Sequence, residues 1–257
     1  MATTCSHKDE SRKSVSVTAH GVAFMRSLES SIDPEVRMFH DPYAVALAGE
    51  AGKSFVVDKH GMPSVPMING MSVRTKRIDD AFESNSLKQI CVFGAGLCTR
   101  AWRLKKTTIE PVSYFEVDFP EVFAFKLSTL KDANAVSEFD YHAVETDLSV
   151  QGWPDHLIAA GFDPKVPTFF ILEGFVNYLT LEEVTSFFTV LSTTLAAKGS
   201  TLVMTCATPV TQASVNMHNM HRFFPENPLE FFGQFGWSGK QELVEDLALG
   251  YNRPLDE

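Results

Sequence analysis

Nowhere in its 257 residues does the chain hold an apolar run near the ~20 residues that a bilayer-spanning helix requires. Basic residues are outnumbered: 22 Lys and Arg stand against 32 Asp and Glu, a formal charge of −10. Without a clustered basic face to neutralise phosphates, nucleic acid is not the expected partner. The compact basic groups, Arg74-Lys76-Arg77 and Lys105-Lys106, read as solvated helix faces or local ligand contacts. The four cysteines (Cys5, Cys91, Cys98, Cys206) make neither a CxxC pair nor a zinc spacing, so no metal is expected. Three of them sit in apolar surroundings, as reduced thiols in the cytosol do. The opening MATTCSHKDESRK lacks an apolar signal core and mixes lysine with acids. The expected location is cytoplasmic. Internal repeats and low-complexity tracts are also missing.

What is present is enough apolar material, 44% of residues, for one α/β domain with elaborations. The organising stretch is Gln89 to Asp118. An apolar run (Ile90 to Phe93) leads into Gly94-Ala95-Gly96, then a helix-compatible segment (Thr99 to Lys105) and a second β-prone run (Val112 to Val117) ending in Asp118. Strand, glycine turn, helix and strand with a terminal carboxylate make a nucleotide-binding half-fold. Gly94 and Gly96 permit a sharp turn close to a ligand. Asp118, about 20 residues on, can accept hydrogen bonds from both ribose hydroxyls. Dinucleotide sites want a third glycine so that the helix can approach a pyrophosphate, and here that position is Thr99. S-adenosylmethionine carries no phosphate and does not need it.

In order, residues 1–16 are polar and expected to be a disordered tail. Helices are expected over Val17 to Ser30, after Asp41-Pro42 as far as Gly49, and over Met71 to Phe82, with a Gly/Pro-rich loop from Gly61 to Gly70. This block, residues 17–85, reads as a helical cap over the cofactor end of a sheet, or as packing alone. Residues 86–257 read as a Rossmann-like core. After Asp118 come a helix opening at Pro120, a short strand His142 to Glu145, and the turn Thr146-Asp147-Leu148, whose carboxylate suits an exocyclic adenine amine or a helix cap. Then follow a helix Gln151 to Gly161 and the apolar strand Pro167 to Leu172, which ends in Glu173-Gly174 at a strand's C-terminal edge. Thr180 and Glu183 form a capping box for a helix to Lys198, with Gly199 as its C-cap, before the strand Thr201 to Cys206. The alternation implies a doubly wound, mostly parallel sheet. From 209 to 237, Met, His and Phe crowd together as an insertion that is core or substrate-pocket wall. The tail ends with a helix-like QELVEDLALGY.

Taken together, TAHGVAFMRSLES, FHDPYAVALAG, RTKRIDD, VFGAGLCTRAWRL, YFEVDFPEV, the TDL turn and GFDPKVPTFFILEGFVNYL resemble one family from about Thr18 to Tyr251. It is the S-adenosylmethionine-dependent methyltransferases of the leucine carboxyl methyltransferase type, including their O-methyltransferase branch. The resemblance implies a class I methyltransferase fold and a role for each matching residue. Arg74 would hold the cofactor's carboxylate, and Gly94 and Gly96 would line the cofactor. Asp118 would take the ribose, Asp147 with the Leu148 backbone the adenine edge, and Glu173 would lie near the methionine portion. Cys98 stands where the family motif GAGxDT has aspartate.

The expected activity is O-methyl transfer to a carboxyl or hydroxyl of a small molecule, with a protein C-terminal carboxyl as the alternative acceptor. A carboxylate needs no base, whereas a hydroxyl benefits from one. Tyr178, His218 and His221 are candidates for touching substrate, and none is assigned as a catalytic base. Two other classes stay open: a nicotinamide-dependent oxidoreductase, opposed by Thr99, and a binding protein without catalysis, suggested by Cys98.

Overall fold

The computed structural model describes residues 3–56, 63–106, 111–209 and 220–255, with the side chains of 3–16 and of Phe55 left out. Three helices come first: α1 (Thr3–Ser30), α2 (Ala44–Val56) and α3 (Val65–Ser84). The core then alternates β1 (Gln89–Phe93), α4 (Arg100–Arg103), β2 (Ser113–Asp118), α5 (Pro120–Asp132), β3 (Asp140–Glu145), α6 (Trp153–Ala159), β4 (Thr168–Leu172), α7 (Leu181–Val190) and β5 (Thr201–Met204). Further on lie the short helices α8 (Pro228–Gly233) and α9 (Val244–Gly250). All strands pair in parallel in the order β3-β2-β1-β4-β5, so the chain reverses direction across the sheet at β1 and β4. This is the expected doubly wound, Rossmann-like α/β architecture.

Strand burial explains why the central runs read as continuously apolar. Cys91, Phe93, Phe115, Val117, Phe170 and Leu172 pack on one face with Trp153, Phe187 and Phe188. Ile90, Val92, Tyr114, Phe169 and Ile171 pack on the other with Ile78 and Phe82 of α3. Both faces are covered, so no alternation of polar residues survives in β1 or β4. The exceptions lie in β2, where Glu116 and Asp118 share the face of Tyr114.

Several elements differ from the sequence expectation. Residues 3–16, expected as a disordered tail, continue α1 toward the N-terminus. That stretch holds no glycine or proline, and extending an existing helix costs far less than nucleating one. The helix expected to stop at Gly49 does break there (φ 53°, ψ −167°), but a second helical stretch carries α2 on to Val56. The expected loop up to Gly70 is shorter, because Ser64 caps α3 with Pro66 in its first turn. The helix expected to reach Lys198 widens into a π-turn at Leu191–Leu195 and ends there. The capping box itself is formed, with Thr180 and Glu183 each serving the other's backbone. Among the described residues the aromatic stretch goes largely to the core: Phe223 and Phe232 are buried, Phe232 and Phe235 pack against Phe188, and Phe231 packs against Phe223, Phe232 and Phe235.

Candidate active site

A cavity of about 340 Å³ opens at the C-terminal ends of β1, β2 and β4, within the range of small-molecule sites. Its walls bring together Arg74, Gly94, Gly96, Asp118, Asp147, Leu148, Glu173 and Tyr178. These are the sequence-predicted residues, apart from the two histidines. His221 stands behind the lining, its ring edge-on to Tyr178 at 4.9 Å. Burial and then the neighbouring Arg74 charge hold its imidazole below the usual pKa. His218 lies outside the described residues.

The floor is the glycine turn. Gly94 has φ +61° and Gly96 φ +49°, both left-handed. A Cβ on Gly94 would fall 2.6 Å from Cδ2 of Phe175, so the ring occupies the space that a side chain would take. Gly94→Ala should therefore cost about 1–2 kcal/mol of stability from the left-handed backbone, more if Phe175 does not move. Chemical denaturation measures this, and an unchanged midpoint would remove the steric argument.

Asp118 fastens the turn. Its Oδ2 accepts from Gly96 N at 2.6 Å and its Oδ1 from Phe119 N at 2.7 Å. Burial pushes its carboxyl up to about 6, although these two amides and Lys126 pull the other way. A desolvated carboxylate facing a cavity has spare lone pairs for hydroxyl donors. Across the turn, α1 forms a roof: Thr18, Ala19, His20, Val22 and Arg26 line the same cavity, with Ala19 Cβ 3.4 Å from where a Gly96 Cβ would sit.

The opposite end is cationic, and sequence reasoning missed most of it. Glu173 Oε1 accepts from Arg74 Nε at 3.0 Å, and its Oε2 from Arg100 Nη1 at 2.6 Å. Arg100 Nε reaches Asp79 at 2.7 Å, and Arg103 grips the same carboxylate with both terminal nitrogens. Arg26 donates to Asp41 at 2.9 Å and to Leu97 O at 2.6 Å, while Thr99 also donates to Asp41. Asp41 and Arg103 approach to 4.0 Å, which closes the chain of contacts. Four guanidinium groups thus meet three carboxylates, leaving one positive charge in excess at this end. Burial alone would raise the Glu173 carboxyl, but Arg100 and then Arg74 overcome it and hold it at about 2.

A faint signal for this network was present. Arg100 and Arg103 are three apart and so share a helix face, and Asp41 and Asp79 fall inside recognisable segments. Their partners are 21 to 73 residues away, beyond any local pattern. Cys98 lines the cavity, its Sγ 3.4 Å from Arg100 Nη1. Leu179, Glu183 and Arg222 line the same cavity as Tyr178. Arg222 donates to Tyr178 O at 2.8 Å and Glu183 Oε2 at 3.2 Å. Among the described residues no helix is long and apolar enough to cross a membrane.

The residues present fit S-adenosylmethionine. A surplus guanidinium charge answers a carboxylate, an ionised Glu173 answers a cation, and Asp118 offers acceptors beside a glycine floor. Comparison with known proteins agrees. The model of the family described as leucine carboxyl methyltransferase matches residues 19–192. A "Putative S-adenosyl-L-methionine-dependent methyltransferase" of Frankia alni is 31% identical over 93% of this chain and 87% of its own length. Similarly named proteins of Streptomyces coelicolor (30% identical; 93% of this chain, 88% of its own) and Mycobacteroides abscessus (34%; 79% and 70%) also match. Among solved structures, an O-methyltransferase family protein from Burkholderia thailandensis has a TM-score of 0.48 at 12% identity, covering 77% of this chain and 58% of that one. That likeness is too distant to bear on activity. The chain belongs to the S-adenosyl-L-methionine-dependent methyltransferases of the leucine carboxyl methyltransferase family.

Proposed function

We propose that this methyltransferase acts on a carboxyl or hydroxyl oxygen of a small molecule, in the cytoplasm. The observation that carries the reading is one cavity whose walls hold an acid beside a glycine floor, a surplus guanidinium charge, and Tyr178, Leu179 and Arg222. In this reading Asp147 and the Leu148 backbone take the adenine edge, Asp118 the ribose hydroxyls, and Gly94 and Gly96 the floor. Arg74 takes the cofactor's carboxylate, gripping it with charge-assisted hydrogen bonds, and Glu173 its ammonium. The part of the wall formed by Tyr178, Leu179 and Arg222 receives the acceptor.

The cofactor supplies an electrophilic methyl on a sulfonium. The chain's part is to hold the acceptor oxygen in line and keep water out. The α1 roof and the Phe175 ring serve the second task. No base is required for a carboxylate, and none is assigned.

Incubation with methyl-labelled cofactor and a panel of carboxylic acids, phenols, alcohols and peptides with free C-termini tests this reading. Base-labile label on a small acid marks an ester, and base-stable label on a phenol or alcohol an ether. Transfer only to peptides would move the acceptor to a protein C-terminus. Calorimetry against NADH is expected to show no binding, given Thr99 at the third glycine position.

The raised Asp118 carboxyl gives a further expectation. Ribose hydroxyls need the ionised form as acceptor, so affinity should be full above a pH of about 6 and fall as pH drops through it. Calorimetric titration of S-adenosylhomocysteine across that range would show it. An affinity that is flat with pH would place the ribose elsewhere.

A further inference from the structure

We propose that Arg100 is a positioning residue for cofactor recognition, holding the Glu173 carboxylate in place for the amino-acid end of S-adenosylmethionine; this rests on the cofactor placement proposed above. Arg100 is 2% exposed and sits on α4 directly after the glycine turn. Its three nitrogens are all committed: two to α3 and the third to the end of β4 and the glycine turn. Nε donates to Asp79 Oδ1 of α3 at 2.7 Å, Nη1 to Glu173 Oε2 at 2.6 Å and to Cys98 Sγ at 3.4 Å, and Nη2 to Thr75 O at 3.3 Å. A guanidinium does this where an ammonium does not, because its donors form a rigid planar fork that stays charged. Asp79 is itself braced by both terminal nitrogens of Arg103. The support behind Glu173 is therefore fixed on both sides.

The charged groups around this contact define what Arg100 does. Arg74 of α3 and Arg26 of α1 also face Glu173. Asp79, Cys98 and Arg103 face Arg100, and the buried Tyr114 phenol feels both arginines of α4. Burial favours a protonated Glu173, and Arg100 is the strongest influence opposing it. With Arg100 gone, only the half-buried Arg74 and the more distant Arg26 remain against that burial. The carboxyl then rises, loses half its fixed hydrogen bonding, and becomes a poorer partner for the ligand's ammonium.

A merely structural arginine would affect every ligand alike, so the test compares two. S-adenosylhomocysteine carries the amino-acid end, whereas 5′-methylthioadenosine keeps the adenosine and lacks it. By calorimetry, Arg100→Met is expected to weaken S-adenosylhomocysteine at least about tenfold and methylthioadenosine no more than about twofold. The wild-type ratio of the two affinities should be flat over roughly pH 5 to 8, since any Asp118 titration affects both ligands equally. In Arg100→Met the ratio should fall as pH falls, because Glu173 must then ionise against its burial. Arg100→Lys, which keeps the charge but not the fork, should recover part of the ratio. If Arg100→Met does not fold, Arg100→Lys is compared in wild-type and Glu173→Gln backgrounds. It should lower the ratio in the first and leave it unchanged in the second. An equal loss of both ligands, or an unchanged ratio, overturns the role of Arg100. A wild-type protein that binds neither ligand overturns the cofactor placement itself.

Discussion

Lys126→Met is expected to lower the free energy of unfolding by about 3–5 kcal/mol, the cost of stranding a buried charge. Lys126 lies on α5 with its side chain fully buried, and its Nζ is 2.6 Å from Oε2 of the equally buried Glu116. Tyr141 donates to that same oxygen at 2.6 Å, and the Trp102 ring lies 5.1 Å from the ammonium. The other carboxylate oxygen, Oε1, has no hydrogen-bond partner among the described residues. Methionine would fill most of the lysine stem's volume, so the loss is electrostatic rather than a cavity. Thermal unfolding should show Tm falling by roughly 10 °C for a chain of this size. The double variant Glu116→Gln/Lys126→Met, which removes both charges, should recover most of the deficit. A single variant within about 1 kcal/mol of wild type would mean that Glu116 is not held as an uncompensated anion. The same lysine is one of the groups that oppose the burial-driven rise of Asp118. Its removal should therefore also move the pH midpoint of cofactor binding upward, which links a core ion pair to the site above it.

That link could not be read from the sequence, and the reason is instructive. Asp118, Gly94 and Glu173 were legible because parallel α/β topology carries the C-terminal end of every strand to one edge, so each strand's last residue is a site candidate. The apolar runs of β1 and β4 were legible as strands because both faces of the sheet are covered. Glu116 and Lys126 are 10 residues apart in different elements. Within SYFEVD, Glu116 looked like one more polar residue. The arginine network was hidden likewise: Arg100 and Arg103 lie in a short helix-compatible segment, while their carboxylates come from α3, from the segment before α2 and from the end of β4. Composition could hint at core or pocket for the aromatic stretch, but only packing against Phe188 decides it for Phe232 and Phe235, and against those two rings for Phe231. Among the described residues of the same stretch it is Arg222, not an aromatic ring, that lines the cavity.

Asp118→Ala should weaken S-adenosylhomocysteine by about 3 kcal/mol, or roughly a hundredfold, if the carboxylate accepts from both ribose hydroxyls at about 1.5 kcal/mol each. The variant has a second effect to separate, because Asp118 also fixes the glycine turn through Gly96 N. Releasing that amide would loosen the floor under any adenosyl ligand, with or without ribose hydroxyls. A 2′-deoxy analogue of S-adenosylhomocysteine resolves the two. In wild type the analogue should bind more weakly than the parent, by the worth of one hydroxyl contact. In Asp118→Ala parent and analogue should bind alike, since the acceptor they differ toward is gone. If the gap between them persists in the variant, the 2′-hydroxyl is held by another group and the loss reflects the turn alone. Should the folded variant bind the parent within about twofold of wild type, Asp118 neither holds the ribose nor shapes the floor, and its desolvated carboxylate needs another explanation.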